Sequence, residues 1–427
     1  MRILFVTNEI PFPPDNGRRI VSYHAMRLMH EAGHQLALTV LTAEADNNEG
    51  RFRSVASFCG DGLSWWMQLP ARGRMGVQLR ALISRRMFFL ERYRCPAFRS
   101  RLLSLIEKFK PDVIHFALLS MTQYRDLAPP GVGTVASIND SYSLHLENAL
   151  RAGTYQGVER LYRRLQLGKS RRFEAAVYPR FDAVHIMASA DGAYLRALNP
   201  AICTAVVPNG VDSSLIDIGK QVRDTSDVIF VGQLGGENLE RIEQFVEYGW
   251  PAVHRECPEV RLRIVGKITA QARDFCARVK RLEGIVLTDY VERLADAYRE
   301  CGIAVVPVDK DCGIINKAIE AMAAGLVTVG FKRTFTGIVE AKDGEHFLSG
   351  ADYGDIGRVV ADIIRNKPRR RAIQENGHRL AVEHYSWESR RSLYEEMYKL
   401  AADKAQRDRG PFRQGRDDRP PAIACGR

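Results

Sequence analysis

The 427-residue chain carries 62 Lys and Arg against 51 Asp and Glu, a formal charge of +11, and is 45% hydrophobic. This length holds two full domains with sizeable cores. No apolar run reaches the ~18 residues of a membrane-spanning helix, the eight cysteines sit singly without metal spacing, and no nucleic-acid-binding motif appears, which argues against a helical span, a disulfide framework, a zinc site and a nucleic-acid partner.

The first residues, Ile3–Thr7, read as a strand that runs into a Pro-rich loop. They lack the apolar length and small-residue cleavage site of a signal peptide. Together with the scattered cysteines, this predicts a reducing, cytoplasmic setting. The loop from Asn8 to Arg19 has no GxGxxG, which argues against a nicotinamide or flavin site. Gly17 followed by Arg18 and Arg19 offers close backbone approach and positive charge at a helix start. Leu36–Leu41 is the next strand, with His34 in the turn before it.

Residues 72–101 hold nine arginines and one acid, Glu91, interleaved with Leu79, Leu82, Ile83, Met87, Phe88, Phe89 and Leu90. Such a segment suits the surface of an anionic membrane, and equally a solvated helix packed on its own domain. Val113–Ala117, Thr134–Ile138 and Ala183–Ala188 continue the strands. His115 ends Val113-Ile114-His115 and Asp140 ends Ile138-Asn139-Asp140, and this shared position at strand ends predicts that both face a cleft. A second basic cluster follows Asp140: Arg160, Arg163, Arg164, Lys169, Arg171 and Arg172.

The strand pattern restarts at Asp227–Gly232 and continues with Leu262–Val265, Ile285–Thr288, Ile303–Val308 and Val327–Val329. Short apolar strands alternating with helices imply parallel sheets covered on both faces. The expected fold is therefore α/β, with two doubly wound domains at 1–207 and 227–384 and a linker at 208–226. The tail from 403 to 427, rich in Arg, Asp, Pro and Gly, is expected to be disordered. Ligands of such sheets bind beyond the carboxyl ends of the strands, so the cleft between the domains is the expected site.

The densest chemical signal is the segment from Ile303 to Gly325. A strand, a loop bearing Gly313 and the start of a helix make an anion site, because the first backbone N–H groups of a helix lack internal partners. Lys317 and Glu320 share one helix face, whereas Ile315, Ile319 and Met322 form a buried one. A Lys–Glu pair on a helix is ordinarily a weak surface salt bridge. Here the lysine lies in the first turn, where the helix dipole disfavours a cation by roughly 0.3–1 kcal/mol. A diphosphate would reverse that sign, and Glu320 would accept from sugar hydroxyls. Asp309-Lys310-Asp311 is a rival signal, two carboxylates able to hold Mg²⁺ or Mn²⁺.

Val206-Val207-Pro208-Asn209-Gly210-Val211-Asp212, Phe230-Val231-Gly232, Ile264-Val265-Gly266 and Lys317-x-x-Glu320-Ala-Met-Ala-x-Gly325 occur in an order and spacing that resembles family 4 of the GT-B glycosyltransferases, the group-1 enzymes of bacterial polysaccharide assembly. The Pro11–Arg19 loop looks like that family's glycine-rich acceptor-side loop, and Tyr385-Ser386-Trp387 looks like the approach to its helix, here 385–402, that crosses back to the first domain. The resemblance implies a GT-B fold of two facing Rossmann-like domains. It also implies retaining transfer of a sugar from a nucleotide-diphosphate-sugar to the hydroxyl of a glycan or lipid-linked glycan, without a required metal or other cofactor.

By position, the donor would meet Gly232, Gln233, Gly313, Ile314, Ile315, Lys317 and Glu320. The acceptor would approach Gly17, Arg18, Arg19, His115 and Asp140, with His115, Lys317 and Glu320 as the catalytic set. The enzyme would be cytoplasmic, peripheral at the inner face of an anionic membrane. Several positions differ from the family pattern: Cys312 stands where a first glutamate is common, Gln233 where a basic residue is, Arg18 where a second glycine is, and Ala117 where a second histidine is. These differences leave two alternatives on the same fold, an inactive nucleotide-sugar-binding protein and a nucleotide-sugar epimerase.

Overall fold

The structure is a computed structural model that describes residues 1–14, 17–43, 48–69, 87–151, 155–221, 223–291, 293–309 and 314–407. It divides into two compact units. The first comprises Met1–Met187, Asp191–Val207 and the chain from Leu393 onward; the second comprises Ala188–Ala190 and Pro208–Ser392.

The first unit is built on seven parallel strands, β1 (Arg2–Thr7), β2 (Gln35–Thr42), β3 (Ser64–Gln68), β4 (Val113–Ala117), β5 (Gly133–Asn139), β6 (Ala183–Ile186) and β7 (Thr204–Val206), in the order β3-β2-β1-β4-β5-β6-β7. The second has six, β8 (Val228–Val231), β9 (Leu262–Val265), β10 (Ile285–Thr288), β11 (Ile303–Val306), β12 (Val327–Phe331) and β13 (Leu348–Gly350), in the order β10-β9-β8-β11-β12-β13. In each sheet the order reverses beside the first strand, between β1 and β4 and between β8 and β11. Such a reversal opens a crevice at the carboxyl ends of those two strands, because the chain leaves them toward opposite faces.

The helices used below are α1 (Gly17–Glu31), α2 (Gly157–Val177), α3 (Glu237–Gln244), α4 (Asn316–Ala323) and α5 (Arg391–Arg407). No described helix is long and apolar enough to cross a membrane.

The continuous apolar strands of the second unit follow from burial on both faces. Val228, Phe230, Ile303 and Val305 enter one core, while Ile229, Ala304 and Val306 enter the core on the opposite side. Each large apolar side chain buried this way is worth about 1.5–3 kcal/mol. Strands β3, β7 and β13 are absent from the sequence reading. All three lie at sheet edges. Two are three residues long, and β3 is half-buried, so none carries a full apolar run.

Two motifs far apart in sequence meet in the second unit. Val211 N–H donates to Tyr385 O (2.8 Å), and Val211 pairs with Ser386 in an isolated bridge. A Cβ on Gly210 would lie 2.5 Å from the backbone nitrogen of Trp387, so the glycine is what lets this buried tryptophan pack there.

Helix α5 is part of the first unit. Its Tyr394, Tyr398 and Ala401 are buried, and a Cβ on Gly133 would stand 2.7 Å from the carbonyl carbon of Ala401. The expectation of disorder from residue 403 needs correction. The helix continues to Arg407, because Ala405 extends the buried stripe of Ala401 and Ala402. Residues 408–427 lie outside the described residues.

Candidate active site

At the second unit's strand reversal, β8 ends in Val231-Gly232. Gly232 N–H donates to Val265 O (2.9 Å). A Cβ at 232 would fall 2.6 Å from Lys317 Nζ and 3.3 Å from Asn238 Nδ2, so glycine makes room for the lysine. Lys317 lies in the first turn of α4, which has no side-chain cap. The ammonium does not pair with Glu320. It donates to Asn238 Oδ1 (3.3 Å) and stands 6.0 Å from the centre of the Phe230 ring. Arg241, one turn into α3, donates through Nη1 to the same Asn238 oxygen (3.3 Å) and through Nη2 to Glu237 (2.6 Å). Phe230, Val231, Asn238, Arg241, Val306 and Lys317 thus line one crevice.

Glu237 neutralises Arg241, whereas the Lys317 ammonium has only the neutral amide oxygen as a hydrogen-bond partner among the described residues. Burial lowers the Lys317 ammonium from its ordinary range; Glu320 opposes that shift and Arg241 adds to it. Burial raises the Glu320 carboxyl, Lys317 opposes the rise, and Asp212 adds to it. The Glu320 carboxylate accepts no hydrogen bond from any described residue, which leaves it open as an acceptor.

Gly232 is buried, Gln233 is exposed, and Ile314 and Ile315 are half-buried against the core. Ile319 and Met322 are fully buried, as their helical spacing requires. Gly313, Cys312, Asp311 and Lys310 lie outside the described residues. Asp309 is exposed and pairs with Arg333 (3.5 Å). Among the described residues, no group of three or more His, Cys, Asp and Glu gathers as a metal site.

In the first unit, Gly17 opens α1, and a Cβ there would meet nothing within 4 Å. Arg18 and Arg19 turn toward the buried carboxylate of Glu9, at 2.7 and 3.7 Å. Asp140 is exposed after β5. The expectation that His115 faces a cleft is corrected: it is 0% exposed, within β4. Its Nδ1 bonds Tyr398 Oη (2.8 Å), and its ring lies 4.8 Å from that of Phe5. An inward-pointing residue of a sheet covered on both faces is buried wherever it lies along the strand. The basic run from Arg72 to Arg86 lies outside the described residues.

Residues 16–215 match the family model for glycosyltransferase family 4, and residues 225–366 match that for group 1 glycosyl transferases. The chain belongs to the GT-B group-1 glycosyltransferases. Among curated proteins, none matches this glycosyltransferase by sequence. Solved structures resemble it in fold. HepE from Anabaena, in complex with UDP and glucose, superposes with a TM-score of 0.57 at 13% identity, over 93% of this chain and 99% of HepE. Sucrose-phosphate synthase from Thermosynechococcus elongatus gives 0.59 at 17% identity, over 93% and 98%. A TarM variant from S. aureus, in complex with Fondaparinux, alpha-GlcNAc-glycerol and UDP, gives 0.59 at 10% identity, over 93% and 99%.

The sequence reading of this glycosyltransferase missed Asn238, Arg241 and Glu9. Asn238 and Arg241 are three apart on one helix face just after Gly235-Gly236, and that strand–glycine–helix pattern was their signal. Glu9 was visible as a carboxylate nine and ten residues before two arginines, with nothing to show that it is buried.

Proposed function

We propose that the enzyme transfers a sugar, with retention, from a nucleotide-diphosphate-sugar to the hydroxyl of a glycan or lipid-linked glycan in surface polysaccharide synthesis. The observation that carries the reading is the convergence of Lys317 and Arg241 on one neutral oxygen beside Gly232. Two cations and a glycine at a strand reversal suit a diphosphate, which would replace the amide oxygen as their partner. In this reading Arg241 supplies the second cation that Gln233 does not. The open carboxylate of Glu320, one turn further along α4, takes the ribose hydroxyls.

As the diphosphate departs, negative charge grows on it, and each preorganised donor aimed there is worth roughly 10²–10³ in rate. The two cations meet that charge directly, so the reading assigns no cofactor. HepE and TarM were crystallised with UDP, which favours a uridine donor. Retention, the acceptor class and a cytoplasmic, membrane-peripheral setting are taken from the family resemblance.

The test is thermal unfolding of the full chain with a panel of uridine, guanosine and adenosine diphosphate sugars. A donor at 100 times its Kd adds about 2.7 kcal/mol of stability. The same donor should leave Lys317→Ala unshifted. Silence of the wild type across the panel overturns the reading. A shift without turnover of any acceptor points to a binding protein instead.

A further inference from the structure

Helix α2 presents a face that no described residue covers. Val158, Leu161 and Leu165 are 85%, 62% and 53% exposed. Their spacing of three and four residues puts them in one row, and Arg172 and Ala176 continue that row at the same helical period. At ~1.5 Å per residue the row is about 27 Å long. The opposite side of the helix explains its orientation: Gln166, Ser170 and Glu174 are buried, and Glu174 accepts from Ser141 Oγ and the Ser143 backbone N–H.

The charge along this face is unbalanced. Arg160, Arg164 and Arg172 have no carboxylate within ion-pair distance among the described residues. The far end of the row, through Lys169, Arg172 and Ala176, enters a groove that also collects Arg94, Arg125 and Arg180. One acid lines that groove, Asp126, and Arg99 holds it through two contacts of 3.2 and 2.6 Å. Leu90, Phe173 and Val177 form its apolar floor. Exposed aliphatic side chains flanked by unmatched cations match the boundary between acyl chains and anionic headgroups. A second copy of the chain fits poorly, since a two-fold contact through this face would set arginine against arginine.

We propose that this face of α2, with the basic groove it enters, is a docking surface for an anionic phospholipid bilayer. Val158, Leu161 and Leu165 dip into the acyl boundary, and Arg160, Arg164, Lys169 and Arg172 meet the headgroup phosphates. The inference rests on the proposed reading only in giving its membrane-peripheral placement a surface. Donor binding, measured separately, stands or falls without it.

The experiment is co-sedimentation of the full chain with vesicles of phosphatidylglycerol and phosphatidylcholine, against phosphatidylcholine alone, at low salt. The wild type binds the anionic vesicles, leaves the zwitterionic ones, and is released by high salt. Leu161→Glu with Leu165→Glu, and separately Arg164→Glu with Arg172→Glu, each weaken binding at least about tenfold. All four positions are surface-facing, so melting temperature and the nucleotide-sugar shift stay as in the wild type. Failure of the wild type to bind, or unchanged binding of both double variants, overturns the proposal. So does loss of binding in the arginine variant alone with equal competition by soluble polyphosphate, which would mark a face for a soluble polyanion. Self-association abolished by Leu165→Glu would mark a face between copies and overturn it as well.

Discussion

The two units place cations at the same topological point and treat them in opposite ways. Beyond β1, Arg18 and Arg19 turn to a buried carboxylate, Glu9, which the fold itself supplies. Beyond β8, Lys317 and Arg241 converge on a neutral amide oxygen. The first arrangement closes its electrostatics internally; in the second Glu237 meets Arg241 at 2.6 Å, but the Lys317 ammonium has no carboxylate contact among the described residues and is held in reserve for an anion. Strand order alone therefore does not make a phosphate site. What decides it is whether the protein or the ligand supplies the counter-charge.

The largest effect that separates the two sites belongs to Lys317. Lys317→Ala should lower transfer from the donor found by thermal shift by about 10²–10³-fold, with the melting temperature close to that of the wild type. Turnover within a few-fold of the wild type would remove the contrast. Glu9→Gln should do the reverse. It costs about 1–3 kcal/mol in urea unfolding, because two arginines lose a charged, buried partner, while the nucleotide-sugar shift survives. An unchanged unfolding midpoint would mean that the carboxylate is not what those arginines need.

A smaller effect tests the first unit's buried imidazoles. Burial, with His185 contributing, holds His115 down to about 3 from an ordinary 6.5. Burial holds His185 down to about 4, against an opposing hydrogen bond with Val207. Both are therefore neutral in the folded chain. Below about pH 6.5 the unfolded chain binds protons that the fold refuses, so this contribution is complete above that pH and is lost as pH falls toward 4. Stability should drop between pH 7 and 5, by up to about 1.4 kcal/mol per pH unit for each imidazole. His115→Phe, which removes one of the two, should flatten the slope, and an unaltered slope would assign the effect elsewhere.

What the sequence disclosed follows from these physical differences. Strands buried on both faces, such as Ile303–Val306, announce themselves as apolar runs, and the restart at Val228 marks the second sheet. Lys317 was legible because it stands against its helix dipole. Its partner Asn238 was not, since 79 positions separate the two and only the parallel strand order joins them. His115 misled for the same reason. Its place at a strand end suggested a cleft, but its partner is Tyr398, 283 residues away. Local chemistry is readable from a sequence, whereas the identity of a distant partner is a property of topology.

Helix α5 also sets an order of events during synthesis. Tyr398 and Tyr394, which cover His115 and His185 in the first unit, are among the last described residues of the chain. Residues 1–207 therefore leave the ribosome with that part of their core bare. At roughly 5–20 residues per second, the next 200 residues take on the order of 10–40 s to arrive. The second unit's last residue, Ser392, emerges before Tyr394 and Tyr398, so the domain begun first is the one completed last.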